Sequence, residues 1–170
     1  MSPMATTRLN KFSDIDAFLS ENNVPHKSDL TNQAIEMPVN AAPLSGVLYV
    51  RWDRNLPYVQ LVCPFVGNVP PDRVREVESA ICHANTVIPL PGFGFEYDKR
   101  FIYMRLCVPI YEDGILATSF QRLLLGTIQN AKDFMGAFRD VVAGHEGAEV
   151  MALAIKHKNE PEAGSSMPKA

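Results

Sequence analysis

Apolar and polar positions alternate with a period of two in two parts of this chain and recur at helical spacing in three others. From Gly46, Leu48, Val50 and Trp52 point one way and Tyr49, Arg51 and Asp53 the other. After a turn signal over residues 53–57, Val59, Leu61 and Cys63 alternate with Tyr58, Gln60 and Val62. This predicts an antiparallel hairpin whose core face carries Leu48, Val50, Trp52, Val59, Leu61 and Cys63. A second hairpin is predicted further on. Phe93, Phe95 and Tyr97 alternate with Gly94 and Glu96, and Asp98-Lys99 forms the turn. Ile102, Met104, Leu106 and Val108 then alternate with Phe101, Tyr103, Arg105 and Cys107, which pairs Phe95 with Ile102.

Three segments read as helices. The first begins near Ser13, a candidate cap, buries Ile15, Phe18 and Leu19, and stops before Pro25. The second starts in "GNVPPD", with Pro71 suited to the first turn, and repeats Val74, Val77, Ile81 and Ala84. The third opens with Thr118 and Gln121 at capping-box spacing. Its broad apolar face runs from Phe120 through Leu124, Phe134 and Phe138 to Val142, and Gly144 is its natural stop. Residues 25–45 hold three prolines, so a strand over Ala34–Val39 is expected only at a sheet edge. Residues 148–157 fit a helix or a strand equally. The domain reading is a flexible end at 1–9, one α+β domain over 10–157 and a disordered tail from 158 to 170.

The two hairpin-helix units align at an offset of 45 residues, with Tyr58 on Tyr103, Leu61 on Leu106 and Pro64 on Pro109. Cys63 falls on Val108, and Cys107 on Val62. Proline is the repeated feature, expected to end each strand because it removes a ladder donor. Cysteine swaps with valine, as a small apolar filler would. A β-β-α unit used twice predicts an antiparallel sheet with its helices on one face, in the order α-β-β-β-α-β-β-α.

Composition narrows the function. Hydrophobic residues make up 46% and charged residues 21% of the 170, as in a soluble globular domain. A net charge of −3 argues against nucleic acid as a partner. No apolar run reaches the ~20 residues that span a bilayer, and no leader-like segment opens the chain, so the cytoplasm is the expected location. Cys63, Cys82 and Cys107 form no Cys-x-x-Cys pair, and the four histidines lie in different elements, so neither a metal site nor a cofactor site is predicted. The glycines of "PGFGF" precede a strand rather than a helix, which excludes a phosphate loop and leaves close packing over an aromatic neighbour. No Gly-x-Ser-x-Gly elbow occurs, and no catalytic residues are assigned.

Asn85, Pro89-Leu90, Gly92, Phe95, Asp98, Tyr103, Arg105 and Pro109 follow one another in "NTVIPLPGFGFEYDKRFIYMRLCVPIY". This segment resembles the central part of the YbjN-like family, a group described as candidate sensory transduction regulators, and the likeness extends over roughly residues 10–143. The resemblance implies the fold of type III secretion chaperones, which are acidic, dimeric, non-enzymatic binders of other proteins. The expected function is therefore a non-enzymatic, chaperone-like protein-binding or regulatory module, a homodimer with a protein partner. The candidate binding residues are those predicted on the polar face of the sheet: Tyr49, Arg51, Tyr58, Gln60, Tyr103 and Arg105. The alternative is a small-ligand sensor with a pocket between the sheet and the helix after Thr118.

Overall fold

A computed structural model describes residues 7–53, 57–89 and 92–159. β1 (Arg8–Leu9) leads into α1 (Phe12–Glu21), followed by β2 (Lys27–Asp29), β3 (Ala34–Ala41), β4 (Leu44–Trp52) and β5 (Tyr58–Val66). A single 3-10 turn over Pro71–Arg73 opens α2 (Val74–Asn85). Then come β6 (Phe93–Glu96), β7 (Phe101–Pro109), β8 (Ile115–Leu116), α3 (Ala117–Ala143) and α4 (Gly147–Asn159). Six strands form one antiparallel sheet in the order β2-β3-β4-β5-β7-β6, and β1 pairs with β8 in a two-stranded ribbon. The α+β class is as expected, and the α-β-β-β-α-β-β-α order is found with one strand more in the sheet, the short β2 between α1 and β3. Residues 148–157, whose pattern suits a helix and a strand equally, lie in α4.

The core lies between one face of the sheet and the helices. Ile35, Leu48, Val50, Leu61, Ile102 and Met104 are each at most 1% exposed. Phe120, Phe134 and Phe138 of α3 are buried against this sheet face, each contributing about 1.5–3 kcal/mol by leaving water. Phe93 meets Phe134 and Phe138 edge-on at 5.3 Å, and Phe65 meets Phe93 and Phe138 at 5.7 and 5.6 Å. This cluster joins β5, β6 and α3. Thr127 is the buried polar residue of α3, and its hydroxyl donates to the Leu123 carbonyl at 2.9 Å.

The cysteines differ from the small-filler reading at two of three positions. Cys63 is buried in the core, whereas Cys82 on α2 and Cys107 on β7 are exposed.

Two helix starts differ from the caps their sequences predict. Ser13 lies inside the first turn of α1 and does not cap it. The cap comes from Asp14, whose carboxylate accepts the backbone N–H groups of Asn10 and Lys11 at 2.9 and 3.2 Å. Thr118 and Gln121 likewise make no capping box, because α3 begins at Ala117 with Leu116 as its N-cap. The far end of α3 stops as predicted at Gly144, whose φ of 122° suits glycine. Arg73 completes that end by donating to the carbonyls of Val141 and His145 at 2.6–3.0 Å.

Three further expectations change. β3 pairs on both sides, but β2 covers only Ala34–Glu36, so the stretch holding Pro38 is an edge. Of the terminus read as flexible over 1–9, Arg8 and Leu9 pair with Leu116 and Ile115, and Leu9 is buried. Pro109 is the last residue of β7, but Pro64 does not end β5. There the ladder shifts register between Pro64 and Val66, and the shift turns both Phe65 and Val66 toward the helices. Residues 1–6, the middle of the 53–57 turn, Leu90 and the tail from 160 lie outside the described residues.

Candidate functional site

Because the helices cover one side of the sheet, the opposite side forms a continuous surface. The side chains of β3, β4, β5 and β7 that point away from the core stand in rows set by the strand register. One row runs Glu36, Tyr49, Val62, Arg105, and the next runs Ala34, Arg51, Gln60, Cys107. Tyr58 stands opposite Pro109, and Tyr103 stands between Pro64 and Gly94. All six candidate residues fall on this face, half-buried or exposed.

Their interactions are local. The Gln60 amide donates to the Tyr58 hydroxyl at 3.4 Å. The Arg105 guanidinium carbon stands 5.8 Å from the centre of the Tyr103 ring, within cation–π range. Phe101 meets the same ring edge-on at 6.1 Å. Tyr103 has room because its neighbour is Gly94: a Cβ there would stand 2.5 Å from the tyrosine's Cζ and hydroxyl oxygen. The predicted packing of a "PGFGF" glycine over an aromatic ring is this contact.

The face has hollows at its two sides rather than one central cavity. One, of about 430 Å³, is lined by Asn85, Gly92, Tyr103, Arg105 and Cys107. The other, of about 490 Å³, is lined by Lys27, Asp29, Leu30, Glu36 and Tyr49. Arg51 and Gln60 border a smaller notch with Trp52 and Asp53. Asn85 fixes the first hollow's floor. Its side chain accepts from the N–H of Gly92 and Phe93 at 3.2 and 3.0 Å and donates to the Phe93 carbonyl at 3.0 Å. Phe101, Val62, Pro64, Cys107 and Pro109 share the surface and were not among the candidates, although the same alternation places them there. Among the described residues, no three His, Cys, Asp or Glu side chains converge as metal ligands.

A second concavity lies on the helical side. α1, β3 and α3 enclose an apolar groove of about 320 Å³ lined by Phe18, Val24, Met37, Val39, Leu124, Leu125 and Ile128. Among the described residues, no helix is long and apolar enough to cross a membrane.

No family model and no curated protein sequence matches the chain. Solved structures do. YbjN of E. coli, proposed to be a transcription regulator, superposes with a TM-score of 0.58 at 8% identity, over 89% of this chain and 97% of that one. A chain of the HopA1–SchA chaperone–effector complex superposes with a TM-score of 0.52 at 15% identity, over 77% of this chain and 95% of that one. At such identities the likeness is one of fold, and the fold of this chain is YbjN-like and type III secretion chaperone-like, as its central segment implied.

Proposed function

We propose that the chain is a non-enzymatic, chaperone-like protein-binding module that acts as a homodimer in the cytoplasm and presents the uncovered sheet face to a protein partner. The observation that carries this reading is the one-sided sheet, which leaves Tyr49, Arg51, Tyr58, Gln60, Tyr103 and Arg105 on a single surface. Tyrosine and arginine are the residues enriched at the centres of protein interfaces, where they combine apolar area with directed hydrogen bonds. A chaperone–effector complex among the similar folds supports the same class of partner. The test is affinity capture from the native cell with the parent chain, Tyr103→Ala, Arg105→Ala and a control on another surface, Glu149→Ala. A partner held by the parent and the control but weakened at least about tenfold by both face variants is the expected result. Equal capture by all four chains, each with an unchanged circular dichroism spectrum, sinks the proposed face.

The groove between α1, β3 and α3 favours a second reading, a sensor for a small apolar ligand. Its volume and its aliphatic and aromatic lining suit such a molecule. A thermal-shift screen separates the readings: a metabolite that raises the melting temperature, and loses that effect in Leu124→Gln, supports the sensor.

A further inference from the structure

The solvent side of α3 carries a stripe whose two halves complement each other when it is reversed. The residues opposite its core face are Ser119, Arg122, Gly126, Gln129, Asp133, Gly136, Asp140 and Ala143, spaced alternately three and four apart. All are exposed except Ser119, which is half-buried. Alternating steps of three and four keep side chains on one stripe of a helix, the stripe along which a second helix can lie. Reversing the stripe about residue 131 sets Arg122 on Asp140, Gly126 on Gly136, Gln129 on Asp133 and Ser119 on Ala143.

Among the described residues, no close contact inside the subunit requires either glycine. Glycine in a helix interior costs about 1 kcal/mol relative to alanine. Among the described residues, nothing lies within 4 Å of where a Cβ would stand on Gly126 or Gly136. Their bare backbone therefore faces outward, at equal distances from the centre of the stripe. Leu125 beside the stripe is 57% exposed, one of the few large apolar side chains left in water.

We infer that α3 is the surface on which two copies of this chain associate, antiparallel about a two-fold axis at the level of residue 131. In that arrangement Arg122 of each copy faces Asp140 of the other, so opposite charges meet twice. Gly126 lies against Gly136 of the second copy, again twice, and lets the helix backbones approach. Leu125 stands at the level of the second copy's Gly136 and gains apolar surface to cover. Near the axis, Gln129 donates to Asp133 of its own chain and holds that carboxylate in place, and Lys132 meets Asp133 of the other copy. A two-fold contact requires such self-complementarity, in which residue i faces j and j faces i. The inference rests on the homodimer of the proposed function and assigns it a surface on the helical side, leaving the sheet face open for a partner.

Light scattering on the eluting full-length chain at micromolar concentration, with Arg122→Asp, Asp140→Arg and the combined variant, tests it. The parent is expected to be a dimer, each single reversal to weaken it about tenfold or more, and the combination to restore it. Register is read by cross-linking in a Cys82→Ser/Cys107→Ser background. A mixture of Gly126→Cys and Gly136→Cys chains should form a disulfide-linked dimer, and neither chain alone should. A monomeric parent overturns both this surface and the homodimer of the proposed function. A dimer indifferent to the charge reversals, or one cross-linked equally by each chain alone, overturns only the α3 surface. Partner capture by the sheet face is decided separately by the Tyr103 and Arg105 variants.

Discussion

Burial decides what each thiol can do. Cys63 sits under the sheet, where desolvation raises its pKa to about 11 and leaves it a protonated, inert side chain. Cys82 and Cys107 are exposed. A thiol reagent at neutral pH should therefore label Cys82 and Cys107 in the native protein and Cys63 only after unfolding. Labelling of Cys63 at the native rate of the other two would contradict its burial. Sequence alternation placed Cys63 inward correctly. The same alternation puts Cys107 on the outer face, and the swap with valine hid that difference, because a valine tolerates either face of a half-covered sheet. The carboxylate of Asp16 is held below the ordinary aspartate value of 3.8, chiefly by the Ser28 hydroxyl that donates to it, which outweighs the opposing effect of desolvation, with a lesser contribution from His26. A carboxylate with a depressed native pKa stabilises the fold above its unfolded value and ceases to do so as pH falls through the native one. Urea titrations should thus show stability declining below about pH 4, and Asp16→Asn should flatten that decline. An equally steep decline in Asp16→Asn would place the acid sensitivity elsewhere. Nothing in the sequence indicated this trio, whose members meet only once β2 docks beside α1.

At the scale of elements, the repeated unit explains the middle of the sheet. In Tyr58-x-x-Leu61-x-x-Pro64 and Tyr103-x-x-Leu106-x-x-Pro109, leucine stands midway between tyrosine and proline. β5 and β7 pair antiparallel with Leu61 opposite Leu106, so each tyrosine necessarily faces the other unit's proline. The repeat was legible in the sequence. That the two copies pair with each other follows from its symmetry, yet periodicity alone leaves strand order open, since any two alternating strands satisfy it. The glycines at the start of β6 make a sharper statement. A Cβ on Gly92 would stand 1.8 Å from the Arg105 backbone oxygen, whereas one on Gly94 would meet only the mobile end of the Tyr103 ring. Gly92→Ala should cost roughly 2 kcal/mol or more, because a backbone cannot step aside, and Gly94→Ala less than about 1 kcal/mol. Adding Tyr103→Ala should relieve the cost at Gly94 and leave that at Gly92, a difference read by a double-mutant cycle in urea. The reverse order of costs would mean that β6 does not lie against β7 in this register.

At the scale of the whole molecule, α4 is the element that local signals least determined. Its segment has weak amphipathicity because only part of it is covered, so helix and strand looked equally suitable. Tertiary contact settles it. Met151 is fully buried, with Val150, Ala154 and Ile155 packed at the core's margin. Gly147 brings the helix start so close to α2 that a Cβ there would lie 2.5 Å from the Glu76 backbone oxygen. The Gly147 N–H also donates to the Glu76 carboxylate at 3.3 Å. α4 thus closes the helical layer over α2 and α3, while the far side of the sheet stays open. If that docking holds, Met151→Ala should lose about 2–4 kcal/mol in urea unfolding, from lost transfer energy and the cavity left behind. Gly147→Val should lose roughly 1–3 kcal/mol by prising the helix start off α2. Both variants should keep the sheet face intact and so hold any partner captured through Tyr103 and Arg105. If each stays within about 0.5 kcal/mol of the parent, as surface substitutions do, α4 is not docked and the helical layer ends with α3.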